Sequence, residues 1–151
     1  MKYKAMNRRL GTTISTSRAL IEAGVDAQTA DMKWSVVDGE WDLAPLHHVF
    51  NVKSESYKSG KAYPAWSWDC LFSMLPTAIT IKNKNGNLCN CRLSVVRNGT
   101  EIVEHRYMPI QQTDPDEFCE KTCSHPIPVE SAAEMVIWLH KRADEDTDGR
   151  K

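Results

Sequence analysis

Two Asn-Gly dipeptides, Asn85-Gly86 and Asn98-Gly99, divide residues 78–108 into three runs of alternating apolar and polar residues. Asn-Gly between such runs is a strong hairpin signal, because glycine enters the left-handed region without steric cost. The segment therefore reads as a three-stranded antiparallel meander. Two-residue turns would set Ile81 opposite Asn90 and Leu93 opposite Glu104, and so mix the faces. A one-residue slip carries every side chain to the other face, so register matters. Three-residue loops with Gly in the left-handed position keep the faces apart. They pair Ile81 with Cys89, Ile79 with Cys91, Leu93 with Val103 and Cys91 with His105, and they set Arg92 opposite Glu104 outside. Both turns are then expected to carry G1 bulges. The inner face is Ile79, Ile81, Cys89, Cys91, Leu93, Val95, Val103, His105 and Tyr107.

A sheet with one apolar face needs a cover, and two segments have the right period. Ser67 is a good N-cap, Asp69 sits where the helix dipole favours an acid, and Trp66 and Leu71 have hydrophobic-staple spacing. This helix is expected to run to Leu75, with Pro76 ending it. Pro128 suits the first position of a last helix, whose stripe is Val129, Ala132, Ala133, Val136, Leu139 and Ala143. His140 interrupts that stripe, and Trp138 points nearly opposite it.

The first half is less regular. Ser15, Thr16 and Ser17 offer caps for a helix to Ala23, with Gly24 as its stop. Asp26 can cap a short turn over Ala27 to Met32. Residues 33–37 read as a strand with Trp34 and Val36 on one face, turned by Asp38-Gly39. Leu46 to Val52 reads as another strand, residues 53–62 as a polar loop and 109–128 as a Pro-rich, acidic connection. The expectation is one α+β domain over residues 1–143. Its meander is extended to four or five strands by one or two earlier segments and packed against two to three helices. Residues 144–151 carry no apolar side chain and read as a flexible acidic tail.

The chain has the length of one domain, 151 residues, and 41% hydrophobic with 26% charged residues excludes a wholly disordered or collagen-like chain. No run approaches the roughly 20 apolar residues of a membrane span. The net charge of −1 selects neither nucleic acid nor membrane. Residues 1–18 hold Lys2, Lys4, Arg8, Arg9 and Arg18 without an acid, while residues 113–151 hold ten acids and five bases. Five basic groups beside Tyr3 support only non-specific contact with nucleic acid, which is not the expected partner. Five cysteines, an odd number, and no apolar leader argue for reduced thiols in the cytoplasm.

Three patches carry a resemblance: Ser17 to Met32, Tyr63-Pro-Ala-Trp-Ser-Trp-Asp-Cys-Leu-Phe-Ser-Met-Leu-Pro76, and Pro128 to Leu139. In this order they resemble short uncharacterised proteins of gut Bacteroidetes and their phages or mobile elements. Members often have Asn or Asp before the final proline, where this chain has Ile127. The resemblance implies a phage or mobile-element origin and a single domain. It implies no activity, cofactor or catalytic residue.

Three constellations bear on function. Cys89, Cys91 and His105 on the inner face, with Cys119, Cys123 and His125 on the later connection, are zinc-type ligands. They lack the paired Cys-x-x-Cys turns of common zinc sites, so burial is the expected role of the strand thiols. Cys70 at a helix start is a candidate thiol nucleophile, with His47 or His48 as base and Asp69 as orienter. No nucleophile turn or phosphate loop accompanies it, and the acids Asp114, Asp116 and Glu117 read as a solvated turn. Five tryptophans exceed what a small core needs, and Trp41 and Trp138 are the expected partner-binding residues. The expected function is that of a non-enzymatic accessory protein without a cofactor, which binds a protein partner or a second copy of itself. A small zinc protein and a Cys-dependent enzyme are the alternatives.

Overall fold

A computed structural model describes residues 10–98, 102–110 and 120–148. The first helix, α1 (Ile14–Glu22), is capped by Thr13, whose side chain accepts the Thr16 N–H. The cap therefore lies ahead of the Ser15–Ser17 run. Ser17 is instead buried, its hydroxyl 2.8 Å from that of Thr12. Gly24, at φ 105, ends α1, and the N–H groups of Gly24 and Val25 return to the carbonyls of Ile21 and Leu20. These are the two bonds of a Schellman closure. Asp26 caps a 3-10 turn, Ala27–Thr29, which is shorter than the expected Ala27 to Met32.

Strands β1 (Met32–Val37) and β2 (Glu40–Pro45) form a hairpin around Asp38-Gly39. Both turn residues have positive φ, 52° and 78°, as a type I′ turn requires. This immediate turn places the second strand at 40–45, so the strand expected at Leu46 to Val52 does not form. β1 already has partners on both sides, because β3 (Ala62–Ala65) pairs with its other edge. Phe50 is buried, edge-on to Tyr57 at 5.3 Å. Tyr57 belongs to α2 (Glu55–Lys58), a single turn capped by Ser54 inside the expected polar loop.

The helix after Ser67 is α3 (Trp68–Ser73), with the Ser67 hydroxyl accepting the Cys70 N–H at 3.2 Å. Trp66 and Leu71 are both fully buried in one cluster, as staple spacing requires. The helix stops short of Leu75. The N–H groups of Met74 and Leu75 bond to the carbonyls of Leu71 and Phe72 in a tighter turn before Pro76.

The second sheet has the order β4 (Ala78–Lys82), β5 (Leu88–Asn98), β6 (Ile102–Pro109), β7 (Lys121–His125). The first hairpin has the expected register, Ile81 opposite Cys89 and Ile79 opposite Cys91, with Gly86 at φ 84. The second hairpin does not. Leu93 faces Tyr107 rather than Val103, His105 faces Val95 rather than Cys91, and Arg92 faces Met108 rather than Glu104. The strands run on to Asn98 and Ile102, so the ladder is longer than a turn centred on Asn98-Gly99 would allow. The slip is even, so each residue keeps its face, but Val95, expected inside, is 40% exposed. Gly99 and its expected bulge lie outside the described residues.

The meander gains its fourth strand from the later connection, through β7, and not from the earlier segments, which build their own sheet. Its inner face is covered by α3 and by α4 (Pro128–Asp148). Val129, Ala132, Ala133, Met135 and Val136 are buried with Leu71, Leu75, Cys91, Tyr107 and Cys123. Two adjacent alanines on this face let the helix axis approach the strands closely. α4 continues through residues 144–148, where the lack of apolar side chains predicts a flexible tail. The Ala143 side chain lies outside the described residues. Glu130 ties the two ends of the fold together. Its carboxylate accepts the Thr13 N–H at 3.0 Å and the Thr16 hydroxyl at 2.5 Å, so a residue of α4 completes the cap of α1.

Candidate functional site

Alternation along β6 places His105 inside, and α3 places Trp68 above it. The Trp68 indole N–H donates to His105 Nε2 at 3.0 Å. An indole nitrogen can only donate, so Nε2 accepts and Nδ1 carries the proton. Nδ1 lies 2.7 Å from the Ser131 hydroxyl, which donates to the Cys123 carbonyl at 2.8 Å. Proton donation thus runs in one direction, from Trp68 through His105 and Ser131 to the β7 backbone. Burial lowers the His105 pKa to about 4. This histidine is neutral and has both nitrogens engaged, so it has no lone pair to serve Ser131 as a base.

The zinc-type residues do not converge. Cys91 pairs with Pro109, and Cys123, not Cys91, stands opposite His105. His125 Nδ1 accepts the Ile127 N–H at 2.9 Å, a local bond that shapes the entry to α4. Cys119 lies outside the described residues. Among the described residues no three His, Cys, Asp or Glu side chains gather in a way that could hold a metal.

Cys70 does lie in the first turn of α3, but its thiol donates to the Thr29 carbonyl at 3.3 Å. Burial, helped by the charge of Asp31 and a hydrogen bond to it, raises its pKa to about 11. The expected lowering by the helix dipole is overridden. Asp31 itself accepts the N–H and hydroxyl of Ser67, holding the α3 cap against the 3-10 turn. His47 and His48 are exposed after β2 and form no hydrogen bond with Cys70. Asp69 is exposed as well.

Trp138 is half-buried against the main core. Lys121 of β7 and Arg142 lie 5.4 and 5.3 Å from its ring centroid, and the Arg142 guanidinium also reaches the Thr80 carbonyl of β4. Cation–π contact on this scale is worth about 0.5–2 kcal/mol. Two basic side chains of the protein itself thus lie against this tryptophan, which stays half-buried.

Trp41 is placed differently. Met32, Trp34 and Val36 of β1 share a face with Trp41 and Leu43 of β2 and Tyr63 and Ala65 of β3. Ile14 of α1 covers the near half, where Trp34 is fully buried and donates to the Thr12 carbonyl at 2.8 Å. The far half stays open, and Val36 is 44% exposed. Between α1 and this open half lies a cleft of about 560 Å³, lined by Ile14, Ser15, Arg18, Ala19, Glu22, Trp41, Gly60 and Tyr63. The rings of Trp41 and Tyr63 stand 5.8 Å apart, tilted by 45°. The Arg18 guanidinium lies 4.8 Å from the Tyr63 ring centroid and donates to the Tyr63 hydroxyl. Gly60, at φ 77, brings the chain close to that hydroxyl; a Cβ here would stand 3.3 Å from it.

Of the two expected partner-binding tryptophans, both half-buried, Trp41 lines a cleft and Trp138 lies against two basic side chains. Arg18, Glu22 and Tyr63 escaped the sequence reading. The i, i+4 spacing of Arg18 and Glu22 on one helix face was the available signal. Among the described residues no helix is long and apolar enough to cross a membrane. Comparison with protein-family models, with curated proteins and with solved structures gives no match.

Proposed function

We propose that this is a non-enzymatic accessory protein of the phage or mobile-element kind, working in the cytoplasm, which docks a partner protein in the cleft between α1 and the β2-β1-β3 sheet. The observation that carries the reading is the Trp41–Tyr63 pair, left partly open beside an arginine with no carboxylate partner among the described residues. Aromatic and arginine side chains in a partly desolvated recess are the residue types that dominate protein interfaces. A volume of about 560 Å³ accommodates a few side chains of a partner. The direction of proton donation through His105 and the raised pKa of Cys70 favour binding over acid–base or thiol chemistry. The test is selection of peptides from an unbiased displayed library on the immobilised protein. Enriched peptides are expected to bind the wild type and to lose about tenfold or more in affinity for Trp41→Ala. Enriched peptides indifferent to Trp41, or no enrichment, would refute the proposal.

A further inference from the structure

The chemistry of the cleft narrows what its partner presents, on the reading that it is a docking site. Of its polar side chains, Arg18 and Trp41 can only donate, the Ser15 and Tyr63 hydroxyls can do either, and Glu22 can only accept. Arg18 spends one N–H on the Tyr63 hydroxyl and has no other hydrogen-bond partner among the described residues. The Trp41 indole N–H has none, and among the described residues no buried side-chain nitrogen or oxygen lacks a partner, so this N–H is open to solvent. Ser15 lines the same cleft, and the Glu22 carboxylate is the acceptor-only side chain of the lining. Unused donors at Arg18 and Trp41 suit a ligand that brings carbonyls and few N–H groups. Among peptide segments that description belongs to proline runs, which lack the backbone N–H and leave their carbonyls solvated.

Geometry points the same way. A polyproline II helix advances about 3.1 Å per residue, so two residues span about 6 Å. The Trp41 and Tyr63 ring centroids stand 5.8 Å apart. Two proline rings can therefore rest against the two aromatic rings in succession while the intervening carbonyls accept from Trp41 and Arg18. The proline helix is already ordered when free, so its binding costs little conformational entropy, which suits a shallow cleft.

We infer that the cleft between α1 and the β2-β1-β3 sheet takes a proline-rich segment of the partner in the polyproline II conformation, seated on Trp41 and Tyr63, with Arg18 and the Trp41 indole donating to its carbonyls. The test is a fluorescence titration of the full chain with synthetic oligoproline peptides, each matched by a version with alanine for proline. The proline peptides are expected to bind saturably and the alanine versions about tenfold or more weaker. Trp41→Ala is expected to lose about tenfold or more, and Trp41→Phe, which keeps a ring and removes the donor, to fall between. Leu88→Ala, on the other sheet, is expected to bind like the wild type. Far-ultraviolet spectra and melting of Trp41→Ala and Trp41→Phe, compared with the wild type, guard against loss by unfolding. Equal binding of proline and alanine peptides overturns the inference, as does an oligosaccharide or a proline-free selected peptide that occupies the Trp41 cleft. A Trp41-dependent peptide without proline leaves the docking reading standing. Absence of any Trp41-dependent peptide removes both.

Discussion

His105 shows how one residue type takes its role from its neighbours. With Trp68 donating to Nε2 and Ser131 receiving from Nδ1, the ring is held in one tautomer. Its pKa, lowered from 6.5 to about 4 by burial, has a consequence for folding. The unfolded chain takes up the proton more readily than the native one. The contribution is therefore complete above pH about 6.5 and is lost as pH falls toward 4. Over that interval it amounts to about 3 kcal/mol. Urea unfolding of the wild type is expected to show this loss, and His105→Gln to remove most of the pH-dependent part. Equal pH dependence in both proteins would contradict the assignment. The thiols follow the same logic. Burial raises both Cys70 and Cys123 to about 11, against an ordinary 9.0. Alkylation of the native protein at neutral pH, mapped by mass spectrometry, is expected to run roughly a hundredfold slower at these positions than at a free cysteine. Rapid labelling of Cys70 would restore the nucleophile reading.

At the level of elements, local signals were legible and partner choice was not. Asn85-Gly86, Asp38-Gly39, Gly24, Ser67 and Pro128 each act through their own backbone geometry, and each stands where its chemistry requires. Gly86→Ala is expected to cost about 1–2 kcal/mol in thermal unfolding, since φ 84 strains any side chain there. No change would mean that the turn differs from the one described. β7 was illegible because only one face of it meets the core and its residues, Lys121 to His125, show no apolar alternation. β3 carries Pro64, which argues against an interior strand but is tolerated at a sheet edge. The four-residue slip of the second hairpin was hidden for a related reason. Hydrophobic patterning distinguishes odd from even registers and is blind to an even shift. The other half of the Thr13 cap had no sequence signal, since it is Glu130 on α4, far along the chain. Glu130→Ala leaves the Thr13 N–H and Thr16 hydroxyl without this acceptor and is expected to cost about 1–3 kcal/mol. Unchanged denaturant midpoints would show that the link contributes nothing.

Over the whole molecule, two sheets divide the labour. The four-stranded sheet, α3 and α4 enclose the larger core and absorb the cysteines and histidine that most resemble a reaction centre. The three-stranded sheet is covered by α1 over only part of its face, and the uncovered part meets α1 in the cleft. Sequence marked Trp41 because an extra tryptophan is conspicuous. It could not bring Tyr63 and Arg18 together, because their meeting depends on β3 pairing with the far edge of β1 and on α1 crossing above. The central claim is that binding belongs to this cleft and not to the His105 interior or to the Trp138 face. Amide and indole chemical-shift mapping during titration with a selected peptide tests it most directly. The expected shifts cluster at Ser15, Arg18, the Trp41 indole, Gly60 and Tyr63, with Trp68, His105 and Trp138 unmoved. Shifts centred on His105 or Trp138, with the Trp41 indole silent, would contradict it.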